Sequence, residues 1–187
     1  AKAAVGRLAE GEADVRRALL NQPKLHGKYS ASVAQLLSAL AQILTQQGRF
    51  AEAEKVTRTA LELYQTLKFA ESSPMTLGNL TGLAGLLGVQ GRRQEAAAVY
   101  RQLDEAVKDW EPRRRQIFEM KPSRIYTHFN TGNAQEGAAM ARSFLERSIQ
   151  RFGSDHFNTA LARGMLGLGL FRIGSNAEAR EELNLPI

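Results

Sequence analysis

Ala41-Gln42-Ile43-Leu44-Thr45-Gln46-Gln47-Gly48-Arg49-Phe50-Ala51-Glu52-Ala53-Glu54 and, 43 residues further on, Ala84-Gly85-Leu86-Leu87-Gly88-Val89-Gln90-Gly91-Arg92-Arg93-Gln94-Glu95-Ala96-Ala97 decide how this chain folds. Both runs set a small residue seven positions before a glycine and an alanine five positions after it. Outward from them the glycine recurs as Gly6, Gly48, Gly91, Gly132 and Gly174, with gaps of 42, 43, 41 and 42 residues. Each glycine is expected to open a short polar turn into an alanine-containing helix. A comb that regular predicts one helical hairpin repeated along the chain, and a solenoid whose job is to hold a partner.

The apolar spacing supports helices on both sides of each turn. Leu36, Leu37, Leu40, Ala41, Ile43 and Leu44 precede Gly48, and Phe50, Ala53, Val56, Thr57, Ala60, Leu61, Tyr64 and Leu67 follow it. Leu80, Leu83, Ala84 and Leu87, then Ala96, Val99, Tyr100, Leu103, Ala106 and Val107, repeat the pattern around Gly91. Ser73-Pro74 predicts a helix start, with a hydroxyl to cap free amides and a ring whose φ is already set. In the first unit Leu8, Gly11, Val15, Ala18 and Leu19 follow Gly6, and Pro23 is expected to close that helix. Pro122 should shorten or kink the helix before Gly132, leaving Trp110 to Lys121 as an exposed, irregular, basic link. The expected organisation is a single solenoid over 1–187. It has three full repeats at about 31–69, 73–110 and 116–152, a half repeat over 1–23 and an incomplete one over 156–187. Beginning and ending inside repeats, it reads as a fragment of a larger protein.

Composition excludes much chemistry. There is no cysteine among 187 residues, hence no disulfide and no cysteine nucleophile or ligand. The longest charge-free stretch, Ser72 to Gly91, is interrupted by glycine and polar residues, whereas a membrane span needs roughly 20 predominantly apolar residues. His26, His128 and His156 fall in different repeats without carboxylates at ligand spacing, so no metal site is expected. The glycines of Gly78 to Gly91 lack the GxxxxGK[ST] phosphate-loop pattern, and no Gly-x-Ser-x-Gly elbow is present. No enzyme and no cofactor are expected. The net charge of +6 is concentrated at Arg113, Arg114, Arg115, Lys121 and Arg124. That cluster reads either as a solvated loop or as a surface for an anionic partner. Nucleic acid is disfavoured because the aromatics sit at helical core spacing rather than interleaved with the basic residues.

The small-glycine-alanine comb (Ala41, Gly48, Ala53, Ala60; Ala84, Gly91, Ala96, Leu103) resembles the tetratricopeptide repeat. A period near 42, together with Phe152-Gly153-Ser154-Asp155-His156 followed by Ala160 and Leu161, resembles its kinesin light chain subtype. HEAT and armadillo repeats share the period but not the comb. The resemblance implies an all-α, right-handed superhelical solenoid of antiparallel helix pairs, whose first helices line a concave groove.

Carried over by position, the implied groove residues are Gln35, Ser38, Gln42 and Thr45 in the second unit, and Gly78, Thr81, Gly85 and Gly88 in the third. Glu119, Tyr126, Phe129 and Asn130 follow in the fourth, then Leu161, Gly164, Leu168, Phe171 and Arg172 in the fifth. Kinesin light chain repeats commonly place an asparagine where this chain has Ala39, Gly82, Ser123 and Met165, so an asparagine ladder is not expected. In its place stands a row of glycines, Gly78, Gly82, Gly85 and Gly88, giving up roughly 2 to 4 kcal/mol of helix stability relative to alanine. Either a partner helix lies against this row, with Phe129, Leu168 and Phe171 adding apolar contact, or neighbouring repeats pack tightly on it. The expected partner is a protein or peptide, or another domain of the same parent protein. A second reading makes the array a regulatory arm of a larger enzyme, resembling those joined to CHAT caspase-like peptidases and signalling ATPases.

Overall fold

The computed structural model describes residues 2–27, 29–119 and 121–183, and among these the regular structure is entirely α-helical. Ten helices follow one another: α1 (Lys2–His26), α2 (Ala31–Gln46), α3 (Phe50–Thr66), α4 (Pro74–Val89), α5 (Arg93–Val107), α6 (Pro112–Glu119), α7 (Pro122–Asn130), α8 (Ala134–Phe152), α9 (Phe157–Arg172) and α10 (Asn176–Leu183). Contacts divide the chain into two compact units, Ala1–Asp109 and Trp110–Ile187. In the first, α1 to α5 pack each against the next. In the second, α7 to α10 do the same.

The turns show why glycine recurs. Gly48, Gly91, Gly132 and Gly174 have φ of 77°, 76°, 88° and 83°, the left-handed region that other residues enter at a cost. In each, the amide after the glycine donates to the carbonyl five residues back: Arg49 to Leu44, Arg92 to Leu87, Asn133 to His128 and Ser175 to Leu170. This is the helix C-terminal motif in which one left-handed residue lets orphaned carbonyls be satisfied. Lys68 ends α3 in the same conformation at φ 58° without glycine's freedom. Gly6 departs from the expectation: it lies inside α1, which also continues past Pro23 to His26.

Helix starts follow the side chains available. Ser30 and Ser73 accept from the amides of Val33 and Thr76, Pro74 stands in the first turn of α4, and His156 Nδ1 accepts from the Asn158 amide. Pro122 opens α7, a helix of only 9 residues. The stretch before it is not the irregular link expected. Pro112 starts α6 within it, because proline is as compatible with a first helical turn as it is hostile to an interior.

The small residues of the comb lie in the core: Ala41, Ala53, Ala60, Ala84 and Ala96 are all buried. Around them Val33, Leu63 and Tyr64 form one cluster, and Leu40, Leu44 and Leu86 another. Ile125, Phe129, Leu145, Met165 and Leu170 anchor the core of the second unit. A repeated polar clamp joins the outer helices of the first unit. Arg49, just before α3, bonds Glu52 in that helix and Glu12 in α1, and Gln47 also donates to Glu12. One period later, Arg92 bonds Glu95 and, in α3, Glu54, to which Gln90 donates. Arg16 reaches Glu52 at 2.7 Å, and Arg142 reaches Glu178 in the second unit at 3.0 Å. Donation by Gln47, Arg49 and Arg16 holds the Glu12 carboxyl down to about 2. In Glu54 burial pushes the other way, and bonds from Gln90, Arg58 and Arg92 overcome it to leave the carboxyl lowered.

Candidate functional site

The first unit contains a cavity of about 360 Å³ between α2 and α4, floored by α3. Six of the expected residues meet there. Gln35, Ser38 and Gln42 lie on one face of α2, and Gly78 and Gly82 on the facing side of α4; Thr45 joins them. Spacings of three and four residues keep each set on one helix face. Thr81, Gly85 and Gly88 lie outside the cavity lining; the Thr81 Oγ1 donates to the Leu77 carbonyl at 2.8 Å.

The cavity holds no charged residue. Its polar groups are hydroxyls and amides, arranged around Asn79. The Asn79 Nδ2 donates to Ser38 Oγ at 2.9 Å and to the Met75 carbonyl at 2.8 Å, while Ser38 Oγ donates to the Ala34 carbonyl at 2.9 Å. The Tyr64 hydroxyl lies 3.5 Å from the same Ser38 oxygen. Thr45 likewise donates to the Ala41 carbonyl. Ser38 Oγ, donating to Ala34 and accepting from Asn79 beside the Tyr64 hydroxyl, has its hydrogen-bonding capacity taken within the chain, whereas the Thr45 oxygen, its proton spent on a helix carbonyl, is left to accept. Gln35 and Gln42 are exposed at its rim and present side-chain amides that can both donate and accept.

Asn79, Met75 and Tyr64 are cavity residues that positional reasoning missed. Asn79 stands one turn before Gly82, the position where an asparagine was sought, and its 9% exposure leaves it at the cavity floor rather than the surface. Its isolation as the one amide within the apolar and glycine sequence of α4 was the available signal.

The glycines separate into two kinds. A Cβ built on Gly78, Gly82, Gly85 or Gly88 would meet nothing within 4 Å. Tight packing between neighbouring repeats therefore does not account for the row. Gly137 and Gly169 are the opposite: a Cβ there would lie 2.6 Å and 2.8 Å from the Phe129 ring.

That ring explains why Phe129 is a core residue and not a groove contact. At 4% exposure it fills the space left by the missing side chains of Gly137 and Gly169. Leu168 is half-buried against the same core. Tyr126 and Phe171 remain at the surface, 40% and 65% exposed. Asn130 donates to the Tyr126 carbonyl at 2.6 Å. Arg172 donates to the Phe129 carbonyl at 2.6 Å, satisfying a free carbonyl at the end of α7. Leu161 and Gly164 are exposed on α9; the Glu119 side chain lies outside the described residues. Among the described residues no three potential ligands gather for a metal, and no helix is long and apolar enough to cross a membrane.

Residues 1–66 match the family model of the tetratricopeptide repeat. No curated protein sequence matches the chain. Among solved structures, the nearly identical kinesin light chain TPR-like repeats from Podosopora anserina superpose with a TM-score of 0.71 at 18% identity, over 95% of this chain and 84% of that one. A variant form of the same repeats gives 0.72 with the same identity and coverage. BtubC from P. vanneervenii gives 0.59 at 18% identity, over 95% of this chain and 68% of that one. The fold is thus that of TPR-like repeat solenoids.

Proposed function

We propose that this chain, a tetratricopeptide-repeat protein of the kinesin-light-chain-like type, is a protein-interaction module that seats a helix or peptide of a partner in the α2–α4 cavity of its first unit. The observation that carries this is the open space over Gly78 and Gly82. Glycine in a helix interior costs about 0.5 to 1 kcal/mol relative to alanine, and among the described residues nothing comes within 4 Å of where those side chains would begin. Close approach of a second backbone is what such a surface permits and what a side chain would block. The rim amides of Gln35 and Gln42, with the hydroxyl oxygen of Thr45, supply hydrogen bonds to peptide groups without requiring a charged sequence. The exposed Tyr126 and Phe171 give the second unit apolar contacts of its own.

The test compares three forms of the chain as bait in lysate of its source cells: the unchanged sequence, Gly78→Leu/Gly82→Leu, and Ala98→Leu on the exposed side of α5. Proteins recovered by the unchanged chain and by Ala98→Leu, and lost with Gly78→Leu/Gly82→Leu, are the expected result. A double-leucine form that keeps its fold by circular dichroism and still recovers the same proteins refutes the seat.

A further inference from the structure

A second cleft, of about 590 Å³, opens in the other unit between α6 and the C-terminal half of α8. It shares no residue with the α2–α4 cavity, nor does it include Tyr126 or Phe171. Three cations line it: Lys121, just before α7, and Arg147 and Arg151, four residues apart and so on one face of α8. Among the described residues none of the three has a carboxylate within 4.0 Å. Arg142, on another face of the same helix, by contrast meets Glu178 at 3.0 Å.

The three are also positioned. The Arg147 Nη2 donates to the Gln116 Oε1 of α6 at 2.5 Å, which ties its guanidinium across the cleft. The Arg151 guanidinium lies 5.1 Å from the centroid of the Phe152 ring. Buried Ser148 donates to the Phe144 carbonyl at 2.8 Å, so its oxygen is left to accept. Phe144 and Phe152 form an apolar wall beside the charges. Like charges around one cleft repel, and an anion entering it relieves that repulsion while meeting guanidinium groups whose forked donors fit a carboxylate.

We propose that the α6–α8 cleft binds an acidic segment of a partner protein, its carboxylates held by Lys121, Arg147 and Arg151 and an apolar side chain resting on Phe144. A peptide suits this site better than a nucleic acid. The Phe152 ring is already stacked on His156, with centroids 4.7 Å apart and planes 16° from parallel, and is approached by Arg151, so it offers no open platform for a base.

The probe is a fluorescein-labelled peptide of sequence Glu-Glu-Leu-Glu-Glu-Leu-Glu, titrated with the full chain and followed by anisotropy at about 50 mM and about 300 mM salt, across which exposed charge attraction is progressively screened. Binding at low salt that weakens at high salt is expected, with at least a tenfold loss, about 1.4 kcal/mol, in Arg147→Gln/Arg151→Gln. Lys121→Gln should lose about threefold. Arg142→Gln removes the same charge from another face of α8 and should stay within about twofold of the unchanged chain. All variants must keep the circular dichroism spectrum of the unchanged chain. The site is refuted if Arg142→Gln loses as much as the double variant, or if the peptide with Gln for every Glu binds equally well. It is refuted as a site for acidic segments if a phosphoserine version of the peptide, or oligothymidylate, competes more than tenfold better than the unlabelled glutamate peptide.

Discussion

The same substitution, glycine to alanine, should have opposite signs at two sets of positions in this chain. At Gly78, Gly82, Gly85 and Gly88 an added Cβ meets nothing within 4 Å, so only helix propensity acts, and each replacement should stabilise by about 0.5 to 1 kcal/mol. All four together should give roughly 2 to 4 kcal/mol. At Gly169 the Cβ would stand 2.8 Å and 2.9 Å from the Phe129 ring and 3.2 Å from the Ala138 Cα, and at Gly137 it would stand 2.6 Å and 2.7 Å from the same ring. The ring is buried and pressed from both sides, so it has nowhere to withdraw. Overpacking of this kind costs about 1 to 3 kcal/mol, which outweighs the propensity gain and leaves a net loss of about 0.5 to 2 kcal/mol. Gly167 is intermediate: its close neighbour at 2.6 Å is Leu183, an exposed side chain near the end of α10 that can turn aside, so alanine there should be close to neutral. Urea denaturation followed by far-ultraviolet circular dichroism measures all three classes on one scale. Loss of stability on replacing Gly78 and Gly82 would show that the row serves packing within the chain and would remove the physical basis for a seat there. A gain at Gly169 would show that the core around Phe129 is looser than its distances state.

Further outcomes follow from the caps, the clamps and the core. Lys68→Gly should stabilise the first unit by about 1 kcal/mol, because Lys68 closes α3 at φ 58° where the other turns use glycine; an unchanged urea midpoint contradicts this. Glu12 has its carboxyl lowered to about 2 from 4.5, so its contribution is fully present above pH 4.5 and is lost as pH falls from there towards 2. Glu12→Gln should therefore flatten the fall in stability between pH 6 and about pH 3, and an equal fall in both proteins refutes the clamp's role in acid sensitivity. Leu87→Ala, at a wholly buried position, should cost about 2 to 5 kcal/mol, whereas Leu20→Ala, at a side chain 72% exposed, should change stability by less than about 0.5 kcal/mol; thermal melts order the two.

Gly48, Gly91, Gly132 and Gly174 were legible because a left-handed turn is a demand on one residue, and glycine answers it wherever the turn recurs. Gly6 carries the period without the conformation, since it lies within a helix where no turn makes that demand. α6 was hidden because Pro112 and three arginines look like a loop to any reading based on apolar spacing, although proline in a first turn is a helix signal. On α2 and α4 the tetratricopeptide resemblance, carried over by position, was enough to bring Gln35, Ser38, Gln42, Gly78 and Gly82 to one cavity. It could not place Phe129, whose fate is set by Gly137 and Gly169 on two other helices. Nor could it show that Glu12 and Glu54, ordinary surface letters in a sequence, each collect two cross-helix donors.

The arginine–glutamate clamps also bear on how such a chain changes length over generations. Arg49 reaches back 37 residues to Glu12, and Arg92 reaches back 38 to Glu54, so each bond joins a position in one repeat to its counterpart's neighbour in the repeat before. A recombination that inserts or deletes one whole period within this region returns every glutamate to an arginine, with no charge newly stranded. A slip of a few residues breaks two bonds at once. The clamps are thus compatible with duplication in whole units and out of register with anything in between.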